Sequence, residues 1–92
     1  MKKIITGILN KKLNAHSVKV IDDSPKHVGH SEAQKSGGGH YSVIVVSDEF
    51  MGKNLVERHR MVYAALAELK KEIHALAITA WTVKEFQQNS SR

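Results

Sequence analysis

The residues in this chain that can do chemistry are its histidines. There are six in 92 residues, and there is no cysteine. Neutral imidazole is the commonest nitrogen ligand for transition metals. His27 and His30 stand three apart in KHVGH, within a glycine-containing loop. At that spacing two imidazoles reach one metal if the loop curls; otherwise they are two solvated loop histidines. His74 opens a strand-like run between Ile73 and Ala75. It reads either as a ligand or as a boundary histidine bonded to backbone. His40 begins another such run, as a third ligand or as a group that orients one. His59 falls on the apolar stripe of a helix, where a satisfied, partly buried histidine holding helix to sheet is expected.

Other chemistries find less support. No serine, histidine and acid pattern suggests a nucleophilic triad, and no nucleophile–base pair is visible, so a non-enzymatic protein is expected. Ser47-Asp48-Glu49 and Asp22-Asp23 read as turn chemistry. The absence of cysteine excludes disulfides and thiolate-only metal sites. The formal net charge is +5, which favours acidic partners or nucleic acid. Most of that charge falls near helix ends or on solvated faces. Arg58 and Arg60 flank His59, either as solvated charges or as part of a phosphate-contacting face, with Lys53 in the preceding turn as a further candidate contact. Aromatic residues make up 5%, too few for a base-stacking platform.

These residues need elements to position them. His40 to Ser47 alternates Tyr41, Val43 and Val45 against Ile44 and Val46, which predicts a strand buried on most of its surface. Asp48 to Lys53 is the turn, with Gly52 free to take a positive φ. Asn54 opens a helix with Glu57 three residues on, close to a capping box. Leu55, His59, Val62, Leu66 and Leu69 form its stripe. Ile73 to Trp81 is the next strand, and strand, helix, strand with short connections implies two parallel strands. Upstream, Lys2 to Leu13 places Ile4, Ile5, Ile8, Leu9 and Leu13 on one helical face, although Gly7 weakens that helix by ~1 kcal/mol. His16 to Asp22 is a strand with Val18 and Val20 on one face. Residues 23–39 hold the only proline and most of the glycines, a long loop of the kind that is functional or disordered. TVKE at Thr82 to Glu85 is a second capping box, opening a helix to about Gln88, and residues 89–92 are expected to fray.

The expected fold is therefore a single α+β domain over residues 1–92, in the order αββαβα, with an N-terminal helical region at residues 1–15. The first two strands pair as an antiparallel hairpin, and the third runs parallel to the second. The end of the first strand and the starts of the other two then lie at one edge of the sheet. The 23–39 loop, His40 and His74 should cluster there. No apolar run approaches a membrane span, and MKKIITGILNKK is too short and too polar after Leu9 for a signal peptide, so a cytoplasmic location and no membrane contact are expected.

The chain resembles the BolA family over Ile21 to Glu85. The resemblance is carried by HY-x-V-x-VVS from His40, F-x-G-K from Phe50, RHRMVY from Arg58, HAL-x-I from His74, and T-x-x-E from Thr82. KHVGH looks like the histidine-bearing version of the family's variable loop. The resemblance implies a fold similar to type II KH domains. It also implies partnership with a monothiol glutaredoxin and a shared [2Fe–2S] cluster, with sulfur from the glutaredoxin cysteine and from glutathione and with histidine from this chain. The family's C-terminal histidine maps onto His74. Its loop histidine maps onto His27, with His30 a close competitor because the loop is longer here than in some relatives. The isolated chain would carry no cofactor and would be a monomer or weak dimer. Some bacterial members are described as DNA-binding regulators of cell shape and stress response, which makes weak DNA binding the alternative. A chain without cysteine cannot hold such a cluster alone, but it can lend imidazoles to one whose thiolates come from elsewhere. Mixed ligation would raise the cluster's reduction potential and make it sensitive to acid.

Overall fold

The structure is a computed structural model that describes residues 1–23 and 39–90. Its elements are α1 (Lys2–Lys12), β1 (Ser17–Asp22), β2 (Gly39–Val46), a 3₁₀ turn (Asp48–Phe50), α2 (Leu55–Ala65), a second 3₁₀ turn (Ala67–Leu69), β3 (Ile73–Trp81) and α3 (Val83–Ser90). The sheet order is β1-β2-β3, with β1 antiparallel and β3 parallel to β2. This is the expected α+β arrangement, αββαβα.

Alternation along β2 sets the core. Tyr41, Val43 and Val45 are buried on the face that receives the helices. Their partners on β3 are Leu76, Ile78 and Ala80, which complete that face. Ile5, Leu9 and Leu13 of the first helical segment and Val62, Ala65 and Leu66 of the second close over it. Two expected stripe residues lie elsewhere. Ile4 is exposed, because one residue is a 100° rotation away from Ile5. Leu55, the first residue of α2, is 66% exposed, and the stripe begins a turn later. Phe50 takes a fully buried place that the helix pattern alone did not assign.

The caps form as the sequence predicts. Asn54 accepts from the Glu57 amide and Glu57 accepts from the Asn54 amide, both at 2.8 Å. The Glu85 carboxylate and the Thr82 side chain make the matching pair at the start of α3. Gly52 takes φ of 75°, the left-handed turn conformation that favours glycine. The helix expected to run to Leu69 gives way after Ala65 to a 3₁₀ turn, a common tightening at helix ends.

Candidate metal centre at the sheet edge

His40 and His74 come from strands that lie side by side. Their register is irregular where it matters. Gly39 pairs with Ile73, but His40 pairs with Ala75, so β3 carries one extra residue at this end. Ile73 and Leu76 both pack against the core, which leaves the two residues between them, His74 and Ala75, off it. A bulge of this kind re-aims a side chain that strict alternation would place differently. The result is a pair of imidazoles with ring centroids 5.2 Å apart and planes tilted by 33°. His74 is exposed and His40 half-buried.

The surroundings of the pair are polar on the β1 side. Asp23 donates its amide to the His40 carbonyl at 2.6 Å. Its carboxylate accepts a hydrogen bond from Ser42, two residues along the strand from His40 and therefore on the same face. Tyr41 points to the opposite, core side. Burial, and then the nearby Asp22 carboxylate, push its phenol above the ordinary value. On the other flank, a groove of about 530 Å³ runs between the C-terminal part of α2 and the start of β3. Tyr63, Leu66, Lys70, Ile73, His74 and Leu76 border it, so it is largely apolar with His74 at its edge. Tyr63 is 54% exposed.

The structure thus brings together two of the four histidines singled out for this edge. His27 and His30 lie outside the described residues. Among the described residues, no group of three histidine, cysteine, aspartate or glutamate side chains is placed to hold a metal ion. His59 departs from expectation. It is half-buried on α2, yet its Nε2 is buried with no hydrogen-bond partner among the described residues.

The basic candidates separate. Arg60 and Lys53 are exposed. Arg58 is neither solvated nor turned toward a phosphate-facing surface, as its place beside the stripe suggested. Its Nε donates to the Lys53 carbonyl at 2.9 Å, and its Nη1 donates to the Ala80 carbonyl at 3.1 Å. Its fork closes on Glu85, and its guanidinium carbon lies 5.9 Å from the Phe50 ring centre. Sequence reasoning missed this role because Arg58 and Glu85 belong to separate local motifs.

Fold and site together define a small α+β module that presents imidazoles at one end of a three-stranded sheet. The family model for BolA-like proteins matches residues 9–85, and the chain belongs to the BolA family, whose members are non-catalytic. It is 43% identical over 82 residues to SufE-like protein 1 of Arabidopsis thaliana, a match covering 84% of this chain and 22% of that protein. It is 38% identical over 71 residues to the DNA-binding transcriptional regulator BolA of Escherichia coli, covering 76% of this chain and 64% of that protein. The chain therefore spans less than two thirds of the length of both relatives. A solved BolA-like protein from Babesia bovis superposes with a TM-score of 0.79 at 28% identity, covering 100% of this chain and 94% of that one. Among the described residues, no helix is long and apolar enough to cross a membrane.

Proposed function

We propose that this BolA-family protein is a cytoplasmic partner of a monothiol glutaredoxin and shares a [2Fe–2S] cluster with it, in cluster assembly, trafficking or iron regulation. The observation that carries this reading is the exposed imidazole of His74, set by a strand bulge at the mouth of an apolar groove. An exposed nitrogen ligand suits a metal that arrives already bound to another protein, and the groove offers that protein an apolar surface beside it. The chain has no thiolate of its own, so the donor set fits a lender of imidazole rather than a cluster holder. In this reading His74 and one of His27 or His30 bind the iron distal from the glutaredoxin sulfurs. The chain's part is to supply neutral imidazole at a fixed position; the cluster supplies the redox chemistry.

The test mixes the purified protein with a monothiol glutaredoxin, iron, sulfide and glutathione. A heterodimer with an altered visible spectrum is expected. In His74→Ala the cluster becomes labile and its spectrum loses histidine-ligated character, while the fold persists because the residue is exposed. His27→Ala and His30→Ala, made separately, identify the second ligand. A cluster unchanged in His74→Ala and in the His27/His30 double variant would rule histidine ligation out.

A second reading, DNA binding, is favoured by the similarity to the DNA-binding transcriptional regulator BolA of Escherichia coli. Here it rests on Arg60 and Lys53. Arg58 is held within the fold, so binding through the remaining exposed charges would be weak and independent of sequence.

A further inference from the structure

We propose that the outer edge of β3, with the groove beside it, takes an extended segment of a partner protein, one that pairs antiparallel with the strand and carries an apolar side chain flanked by carboxylates. The inference goes beyond cluster sharing and does not rest on it: the segment is held through backbone and charge, not through imidazole.

The sheet has two edges, and they differ. β1 has six residues and carries Lys19 and Asp22, charges of the kind that blunt an edge strand. β3 runs for nine residues with no proline, lysine, arginine, aspartate or glutamate. Ala75 and Ala77 are exposed and small, so they do not shield it. Trp81 turns its carbonyl inward to the Ser47 amide at 2.8 Å. The alternate residues Ala80, Ile78 and Leu76 therefore turn their amides and carbonyls outward. The ends of that row are touched from α2. Arg58 donates to the Ala80 carbonyl at 3.1 Å. The Tyr63 hydroxyl reaches the Leu76 carbonyl at 3.5 Å, beyond the usual hydroxyl range of about 2.5–3.0 Å and easily displaced. Among the described residues, nothing bonds the Ile78 backbone from outside the sheet. An open edge of this kind is what strand addition uses.

The groove lies beside the first half of that edge, between Ile73 and Leu76 of β3 and Tyr63, Ala64 and Ala67 on the helical side. In an antiparallel addition, the more stable pairing per residue, the residues that bond β3 are also those whose side chains point to the core side and enter the groove. Cations flank it. Lys70 borders the groove. Arg60 precedes Tyr63 and Ala64 by three and four residues, on the same helix face one turn earlier. Among the described residues neither makes an ion pair. The neighbouring acids are engaged: Glu57 in the α2 cap, Glu68 with Lys12 and Glu85 with Arg58. Glu72 precedes β3 and does not border the groove. Apolar walls between two such cations complement an apolar side chain between two carboxylates. Nucleic-acid bases would need stacking faces, whereas these walls are mostly alanine, leucine and isoleucine.

The probe is a fluorescein-labelled peptide, blocked at both ends, in which glutamate, leucine and glutamate alternate with threonine. It is titrated into the full chain without metal and followed by anisotropy and nitrogen-15 amide spectra. Saturable binding is expected, with shifts at Tyr63, Ala67, Leu76 and Ile78 and slower hydrogen exchange at Ile78. N-methylation of the peptide's leucine removes a bond to β3 and should weaken binding about fivefold. N-methylation of a threonine, whose amide faces away from β3, should not. A peptide with lysine in place of glutamate should bind about fivefold more weakly. The Arg60→Glu/Lys70→Glu variant, changed at two exposed positions, should reverse that preference, which a misfolded protein would not do. No binding at millimolar peptide would overturn the proposal, as would leucine N-methylation without effect or equal binding of the lysine peptide. Displacement of the peptide by oligothymidylate at lower concentration would make the groove a nucleic-acid site instead. The same shifts on concentrating the protein alone would make a second copy the occupant, and either result overturns the proposal. Neither metal nor glutaredoxin is present in this titration, so its failure leaves cluster sharing standing, and failure of cluster sharing leaves this site standing.

Discussion

Arg58 and Glu85, 27 residues apart, meet in a two-point contact, with Nη1 2.7 Å from Oε1 and Nη2 3.1 Å from Oε2. The pair joins the first turn of α2 to the first turn of α3. The same carboxylate also caps α3, so one side chain serves both a local and a long-range contact.

Arg58→Ala removes the fork to Glu85 and the bonds to the Lys53 and Ala80 carbonyls. Its side chain is only 13% exposed, so these bonds are partly desolvated. A loss of about 2 kcal/mol in unfolding free energy is expected, the typical worth of hydrogen bonds to charged groups. Arg58→Lys should recover little of it, because an ammonium cannot reproduce the fork. Urea unfolding of the three proteins checks this.

The same contact predicts an acid response. The Arg58 hydrogen bonds, then the Thr82 amide, hold the Glu85 carboxyl at about 2 against an ordinary value of 4.5. The unfolded chain takes up the proton first as pH falls. The contribution is therefore complete above pH 4.5 and is lost as pH drops toward about 2. The Glu85 side chain is 40% exposed, so solvent screening keeps the effect modest. Glu85→Gln should flatten this part of the stability profile, measured as urea midpoints across the acid range.

Val62 and Leu55 share the expected stripe but not the environment. Val62 is fully buried, and Val62→Asp should cost more than about 4 kcal/mol and unfold most of the protein. Leu55→Asp should stay within about 0.5 kcal/mol of the parent, since Leu55 faces solvent. Thermal melts that rank the two variants the other way would mean the core face is misplaced.

Ser47 is buried between segments. Its hydroxyl donates to the Leu13 carbonyl at 2.6 Å and accepts from the Glu49 amide at 3.0 Å. Ser47→Ala leaves both groups short of a partner and should cost about 1–3 kcal/mol. Hydrogen exchange should quicken at Glu49, which loses its acceptor.

Nucleic-acid binding, if present, should fall steeply with salt and weaken in Arg60→Ala and Lys53→Ala. Arg58→Ala should affect it only in proportion to lost folding. Filter binding at two salt concentrations distinguishes these outcomes. Nanomolar, sequence-specific binding at physiological salt would instead favour the DNA reading over cluster sharing.

What the sequence by itself determined is local. The alternation in HYSVIVV made β2, and the two capping boxes marked the starts of α2 and α3, because period and cap chemistry act within a few residues. Element order and short connections then made the parallel pairing legible, and with it the approach of His40 to His74. The tertiary structure decided the rest. Which stripe residues are covered depends on where each helix meets the sheet, so Ile4 and Leu55 were assigned to a core they do not join. Arg58 could not be read as an internal clamp, because its distant partners, the Ala80 carbonyl and the Glu85 carboxylate, come from β3 and α3. The histidine pair owes its separation to a one-residue irregularity in strand pairing, and His59 Nε2 is enclosed with no partner among the described residues. Both are relations between distant segments, which neither residue type nor spacing encodes.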